Sequence, residues 1–135
     1  MFLQYYFSAY SKSGTISNTN VTFDHFHVNS GDMFDLSTGT FTAPLKGVYE
    51  FSFTGNSHYE NCLSINVYQN DKKIHTIRGK YCGPGFDKFD FANLASTWLL
   101  QLEAGDKITL KVSYGELFSG ANEYRIFNGI LLKLL

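Results

Sequence analysis

Charge, proline, cysteine and long apolar runs are all scarce in this chain, and each scarcity removes a class of protein. Its 135 residues carry 11 Lys and Arg against 12 Asp and Glu, a net charge of −1. A nucleic-acid binder is expected to show a strongly basic face, so nucleic acid is not an expected partner. No apolar run approaches the ~20 residues of a membrane-spanning helix, so membrane insertion is not expected either. Two cysteines cannot supply the four nearby ligands of a structural zinc site. No phosphate-binding glycine loop, nucleophile elbow or His-Glu-x-x-His helix occurs, so no enzyme is expected. With only 2 prolines and 12 glycines, and no amphipathic pattern beyond about two helical turns, strands joined by tight turns are the default.

What is abundant is aromatic. The 13 Phe, 9 Tyr and 1 Trp make up 17% of the chain. Large rings favour strands and fill the space between packed sheets. The clearest stretch is Gly47-Val-Tyr49-Glu-Phe51-Ser-Phe53-Thr, which alternates aromatic with small or polar residues. Successive strand side chains leave opposite faces, so this is a half-buried strand. Gly47 at its start permits a tight entry.

Residues 5–10 read as a first strand, 11–20 as a loop, and 21–28 as extended chain before a turn at 29–32. Short strand pieces follow at 33–36 and 39–42, then the central strand from Gly47 to about Gly55. Residues 62–69 and 73–78 flank the hairpin signal Asn70-Asp71. Residues 81–90 form the longest irregular connection, 91–102 an apolar strand region and 107–114 an alternating strand. Residues 115–123 read as a loop and 124–134 as a closing strand. About ten short strands in one domain, residues 1–135, point to a sandwich or jelly roll. Periodicity does not choose among all-β topologies.

The spacing of Phe23, Asn29, Phe34, Phe41, Gly47, Tyr49, Phe51 and Phe53 does choose. It resembles the signature of the globular-head domain of the complement component 1q family. Thr38-Gly39-x-Phe41-Thr42-Ala43-Pro44, Leu100-x-Leu102-x-x-Gly105-Asp106-x-Ile108 and Phe127-Asn-Gly129-Ile-Leu131-Leu132 resemble further motifs of that family. The resemblance implies an all-β, ten-stranded jelly-roll sandwich, shared with tumour necrosis factor ligands and assembling as a homotrimer around a three-fold axis. A surplus of large aromatics over the needs of one thin sandwich agrees with an interface. It also implies a secreted, extracellular, non-catalytic recognition domain with no required cofactor. Residues 1–7 lack a signal peptide's basic region and cleavage site, so either the protein has no signal or the chain is trimmed; the resemblance begins within the first ten residues, so trimming is the expectation.

The favoured role is multivalent pattern recognition in innate immunity, with carbohydrate or an anionic microbial surface as ligand. The alternatives are a signalling ligand for a protein receptor, hormone-like or synapse-organising, and a structural trimerisation cap of a collagen-like matrix protein. By resemblance, Cys62 and Cys82 form a bridging disulfide, as fits a secreted protein. Calcium is an optional ligand near the three-fold axis, with Asp87 and Asp90 its first candidates. Phe91-Ala92-Asn93 stands where calcium-binding members carry an acidic residue.

From the residues alone, Lys72, Lys73, Arg78, Lys80 and Lys88 form the most basic segment. It is either a solvated face or a cationic patch for anionic partners. Tyr59 and Tyr81, with Phe86, Asn56 and Asn61, suit sugar stacking and hydrogen bonding equally well. Asn20-Val-Thr22 is a glycosylation acceptor triplet. His25 and His27, two apart in extended chain, share a face but lack an evident third metal ligand.

Overall fold

The computed structural model describes residues 4–57, 62–79, 93–120 and 124–135. Among them are twelve strands and no helix: β1 (Tyr6–Ser11), β2 (Gly14–Ser17), β3 (His25–Ser30), β4 (Phe34–Asp35), β5 (Thr40–Thr42), β6 (Gly47–Ser57), β7 (Ser64–Gln69), β8 (Lys72–Arg78), β9 (Asn93–Leu102), β10 (Lys107–Tyr114), β11 (Glu116–Ser119) and β12 (Arg125–Leu134). They make two antiparallel sheets, a jelly-roll sandwich. The seven-stranded sheet runs β2-β11-β6-β12-β1-β3 with β9 on the other edge of β6, and the five-stranded sheet runs β4-β5-β10-β7-β8.

The alternating stretch becomes β6, the longest strand. It pairs with β12 on one side and with β9 on the other. Its inward residues Tyr49, Phe51 and Phe53 are fully buried. They meet Phe7 and Phe127 from their own sheet, and Phe41, Ile65, Val67, Ile108, Leu110 and Val112 from the other. The rings interlock rather than stack uniformly: Phe7 lies flat on Phe34 at 4.7 Å, while Phe41 meets Phe51 edge-on at 4.9 Å. Tyr49 buries its ring and donates its hydroxyl to the Leu45 carbonyl at 2.6 Å, so its polar end is satisfied.

Two signature glycines are explained by close approach. A Cβ on Gly47 would sit 2.5 Å from the backbone oxygen of Lys133, and one on Gly129 would sit 2.5 Å from the Phe7 ring. Gly129 therefore leaves the space that the Phe7 ring fills.

The structure differs from the sequence reading in four places. β2 and β11 lie in segments read as loops, because Ser, Gly and Glu mask them; they pair chiefly with each other. Residues 21–24 form no ladder strand, although Val21 and Phe23 donate backbone hydrogen bonds to Leu110 and Leu36. β3 runs on through Ser30, so the turn falls on Gly31 and Asp32, both at positive φ. The two extra strands, β2 at the edge and β11 between it and β6, raise the count from ten to twelve. The Asn70-Asp71 hairpin is as expected, with both residues left-handed, at φ 49° and 69°, which suits a tight two-residue turn.

Candidate functional site

The outer faces of the two sheets differ sharply. Directly paired residues share a face, so the ladder registers define rows across each sheet. On the seven-stranded sheet one row reads Ser30, Tyr6, Ile130, Glu50 and Leu99. Leu99 is 58% exposed, and Ile130, Leu132 and Leu134 on β12 and Val28 on β3 are exposed as well. On the five-stranded sheet one row reads Thr40, Thr109, Tyr68 and Lys73, and the next reads Lys111, Asn66 and Thr76. Thr76 donates its hydroxyl to the Asn66 side chain at 3.1 Å, which fixes both on that outer face. Among the described residues Tyr114 is the single large exposed apolar residue of this sheet. The first face sets exposed aliphatic side chains among polar ones such as Glu50, Asn128 and Ser52, and the second is basic and hydroxyl-rich.

The hairpin that ends β7 is locked to the turn before β10. Asp106 accepts from the Asn70 side chain and from the Glu103 amide, both at 2.9 Å, and from Gln69 at 3.4 Å. Asn70 in turn accepts from the Lys107 amide at 2.8 Å. The hydrogen bond from Asn70, followed by that from Glu103, holds the Asp106 carboxyl below its ordinary value of 3.8. A depressed folded value means stability that is complete above the ordinary carboxylate range and is lost as pH falls through the folded value. Asp106→Asn is therefore expected to melt below wild type at neutral pH, with the gap narrowing from roughly pH 5 to pH 2. Melting curves across that range check this, and a gap independent of pH would contradict it.

Three further clusters flank these faces. Tyr10 stacks on His27 at 4.0 Å and on His25 at 5.3 Å, so both histidines lie on the same ring. His75 turns inward, 2.9 Å from the Ser96 hydroxyl, with its ring near Trp98. Arg125 is buried at the end of the sandwich. It donates to the carbonyls of Thr22 and Ser13 and to the Ser119 hydroxyl, at 2.8, 3.1 and 3.1 Å. Its guanidinium lies over the Phe23 ring at 5.7 Å. Burial lowers its pKa, against an opposing pull from Asp24.

Of the residues singled out from the sequence, Phe23, Phe34, Phe41, Gly47, Tyr49, Phe51, Phe53, Phe127 and Gly129 are buried, whereas Asn29 and Gly105 are exposed and Asp106 is half-buried. Lys72, Lys73 and Arg78 are exposed on β8, the edge strand of the five-stranded sheet. Asn20 is exposed and bridges to Lys111. Cys82, Asp87, Asp90, Lys80, Lys88, Tyr59 and Tyr81 lie outside the described residues, as do His58, Asn61 and Phe86. Among the described residues no three His, Cys, Asp or Glu side chains cluster as metal ligands. No described helix is long and apolar enough to cross a membrane.

The sequence reading missed Lys107 and Lys111. Ile108, Leu110 and Val112 take the inward positions of β10, so both lysines must face out. The alternation itself carried that signal. It missed Arg125 too, because nothing in a linear pattern marks an arginine whose partners lie about a hundred residues away.

Two packed antiparallel sheets with this strand order define a jelly roll of the tumour-necrosis-factor-like class. The globular domain of zebrafish complement 1qA superposes with a TM-score of 0.76 over 96% of this chain and 98% of that one, at 23% identity. Murine APRIL superposes at 0.68, covering 96% and 100% at 12% identity. Eiger TNF from S. frugiperda superposes at 0.65, covering 94% and 92% at 13% identity. The C1q domain family model matches residues 6–132. The chain belongs to the C1q domain family. It is 31% identical to Caprin-2 of Danio rerio over 83% of this chain and 12% of that protein. It is 30% identical to complement C1q tumor necrosis factor-related protein 3 of Mus musculus over 85% of this chain and 45% of that protein. The chain thus spans less than half the length of these curated relatives. The family is non-enzymatic and requires no cofactor.

Proposed function

We propose that the chain is a secreted, non-catalytic recognition domain that works as a homotrimer. The supporting observation is the contrast between the two outer faces. Leu99 on β9 and Ile130, Leu132 and Leu134 on β12 are exposed aliphatic side chains, and a soluble domain tends to cover such surface in an interface. A closed cyclic assembly covers such a surface without growing a filament. Three copies would then present three basic faces outward. Several weak sites on one particle raise avidity for a repetitive surface, the mechanism of pattern recognition. Cys62 and Cys82 as a disulfide, and Asp87 and Asp90 as calcium ligands, belong to the same reading.

Sedimentation equilibrium of the non-reduced protein tests it, run with calcium and with a chelator. Wild type is expected at three times the 15.3 kDa chain mass. Leu99→Glu is expected at the mass of a single chain, because each copy would force a second carboxylate into the contact beside Glu50. A wild-type monomer at micromolar concentration would remove the multivalent mechanism. A mass independent of calcium argues against metal at the assembly, and two titratable thiols per denatured, unreduced chain would exclude the disulfide. Capture of a protein receptor, with no binding to glycans, would move the role to signalling.

A further inference from the structure

We infer that the outer face of the five-stranded sheet carries a binding groove for an anionic oligosaccharide, one bearing sulfate or carboxylate groups. The groove holds about 570 Å³ and is lined by Tyr68, Lys107, Thr109, Lys111, Asn20 and Asp71. It crosses β10 and β7 in the middle of the sheet, so its floor is held by ladders on both sides.

Charge selects the ligand's sign. Lys107 and Lys111 line the groove, and Lys73 flanks it on β8, paired with Tyr68. Asp71 is the lone carboxylate in its wall. None of these three lysines is ion-paired among the described residues, where the ion pair is Lys46–Glu103. Lys107 reaches only the Thr42 hydroxyl, at 3.4 Å. Asp106, next to Lys107 in the chain, stays ionised but forms no ion pair with either lysine; its oxygens accept from the Asn70 side chain and the Glu103 amide.

Shape and chemistry select the class. Lys107 and Lys111 are four residues apart on one strand, about 13 Å, the span of a short oligosaccharide. Between them Tyr68 is half-buried in the central row, fixed on both sides by Thr109 and Lys73. A half-buried tyrosine in a groove wall suits the apolar face of a sugar. Thr40, Thr109 and Asn20 add short neutral donors and acceptors. A protein partner would bury about 800 Å² on this side and would use a broad apolar centre, which this face lacks. Asn20, the acceptor of the glycosylation triplet, stands on the groove's rim beside Lys111, so protein made without glycosylation keeps that rim open.

The inference rests on the reading of the domain as a recognition head, but the groove lies within one protomer and the two can fail separately. The probe is a heparin oligosaccharide, titrated calorimetrically into non-glycosylated protein, with de-sulfated heparin and poly-glutamate in parallel arms. Wild type is expected to bind the sulfated chain, more weakly as salt rises. Lys107→Glu/Lys111→Glu is expected to lose roughly tenfold or more in affinity. Tyr68→Ala is expected to weaken binding while leaving its salt dependence unchanged. The control Lys12→Glu/Lys46→Glu makes the same charge change outside the groove and is expected to keep wild-type affinity. Equal losses in the two double variants would overturn the groove and leave only a net-charge effect. De-sulfated heparin or poly-glutamate binding as tightly as heparin would overturn the oligosaccharide assignment. A trimer that ignores heparin overturns this inference alone, and a monomer that binds it overturns the trimer alone.

Discussion

Phe51→Ala is expected to cost about 3–5 kcal/mol, a large part of the ~5–15 kcal/mol that holds a domain folded. Phe51 has no exposed surface and sits at the middle of the middle strand. Its ring meets Phe41 at 4.9 Å from the opposite sheet, and Trp98 and Phe127 at 5.9 Å from the strands on either side. All three contacts would face a void after truncation. The neighbouring rings are themselves wedged between one another, so collapse into the space is limited and the cavity term stays high. Thr54→Ala, on the outer side of the same strand, is expected to change stability by about 0.5 kcal/mol or less. Urea unfolding of both variants measures the difference. A Phe51→Ala cost below about 1 kcal/mol would mean that the core repacks freely.

Arg125→Ala is expected to cost about 2–4 kcal/mol, for a different reason. Its guanidinium is the shared donor of three acceptors from three segments: the carbonyls of Ser13 and Thr22 and the hydroxyl of Ser119. Removing it leaves buried acceptors unpaired and uncovers the face of Phe23. The planar fork makes the prediction sharper. Lysine offers a point charge on a flexible stem and cannot span the same acceptors, so Arg125→Lys is expected to recover less than half of the loss. Full recovery by lysine would show that the charge matters there and the geometry does not. Ser119→Ala, which removes a single acceptor, is expected to fall between wild type and Arg125→Ala in chemical denaturation.

The parts of this molecule that were legible in advance are those written in short-range alternation. Tyr49, Phe51 and Phe53 declared the central strand, and Asn70-Asp71 declared its own turn. Long-range features were legible only where a fixed spacing carried them, as Gly47 and Gly129 did. β2 and β11 were hidden because their strand character comes from pairing with each other rather than from their residues. The basic groove was half visible. Lys73 stood out in a charged run, whereas Lys107 and Lys111 looked like ordinary surface lysines until β10 was laid beside β7. Arg125 was invisible because what distinguishes it is assembled from Ser13, Thr22 and Ser119.

The position of β12 has a consequence for synthesis. It is the last of the described strands to leave the ribosome, yet it lies between β1, the first, and β6, the longest. Until it emerges, β1 and β6 each present a bare hydrogen-bonding edge, and Phe127 is missing from the ring cluster. The emerging domain must therefore hold two open edges apart until β12 follows, the state most exposed to mispairing with a neighbouring chain. β12 acts as a keystone, and quality control has a simple criterion to read: a domain without it has edges, and a domain with it has none at the centre of the sheet.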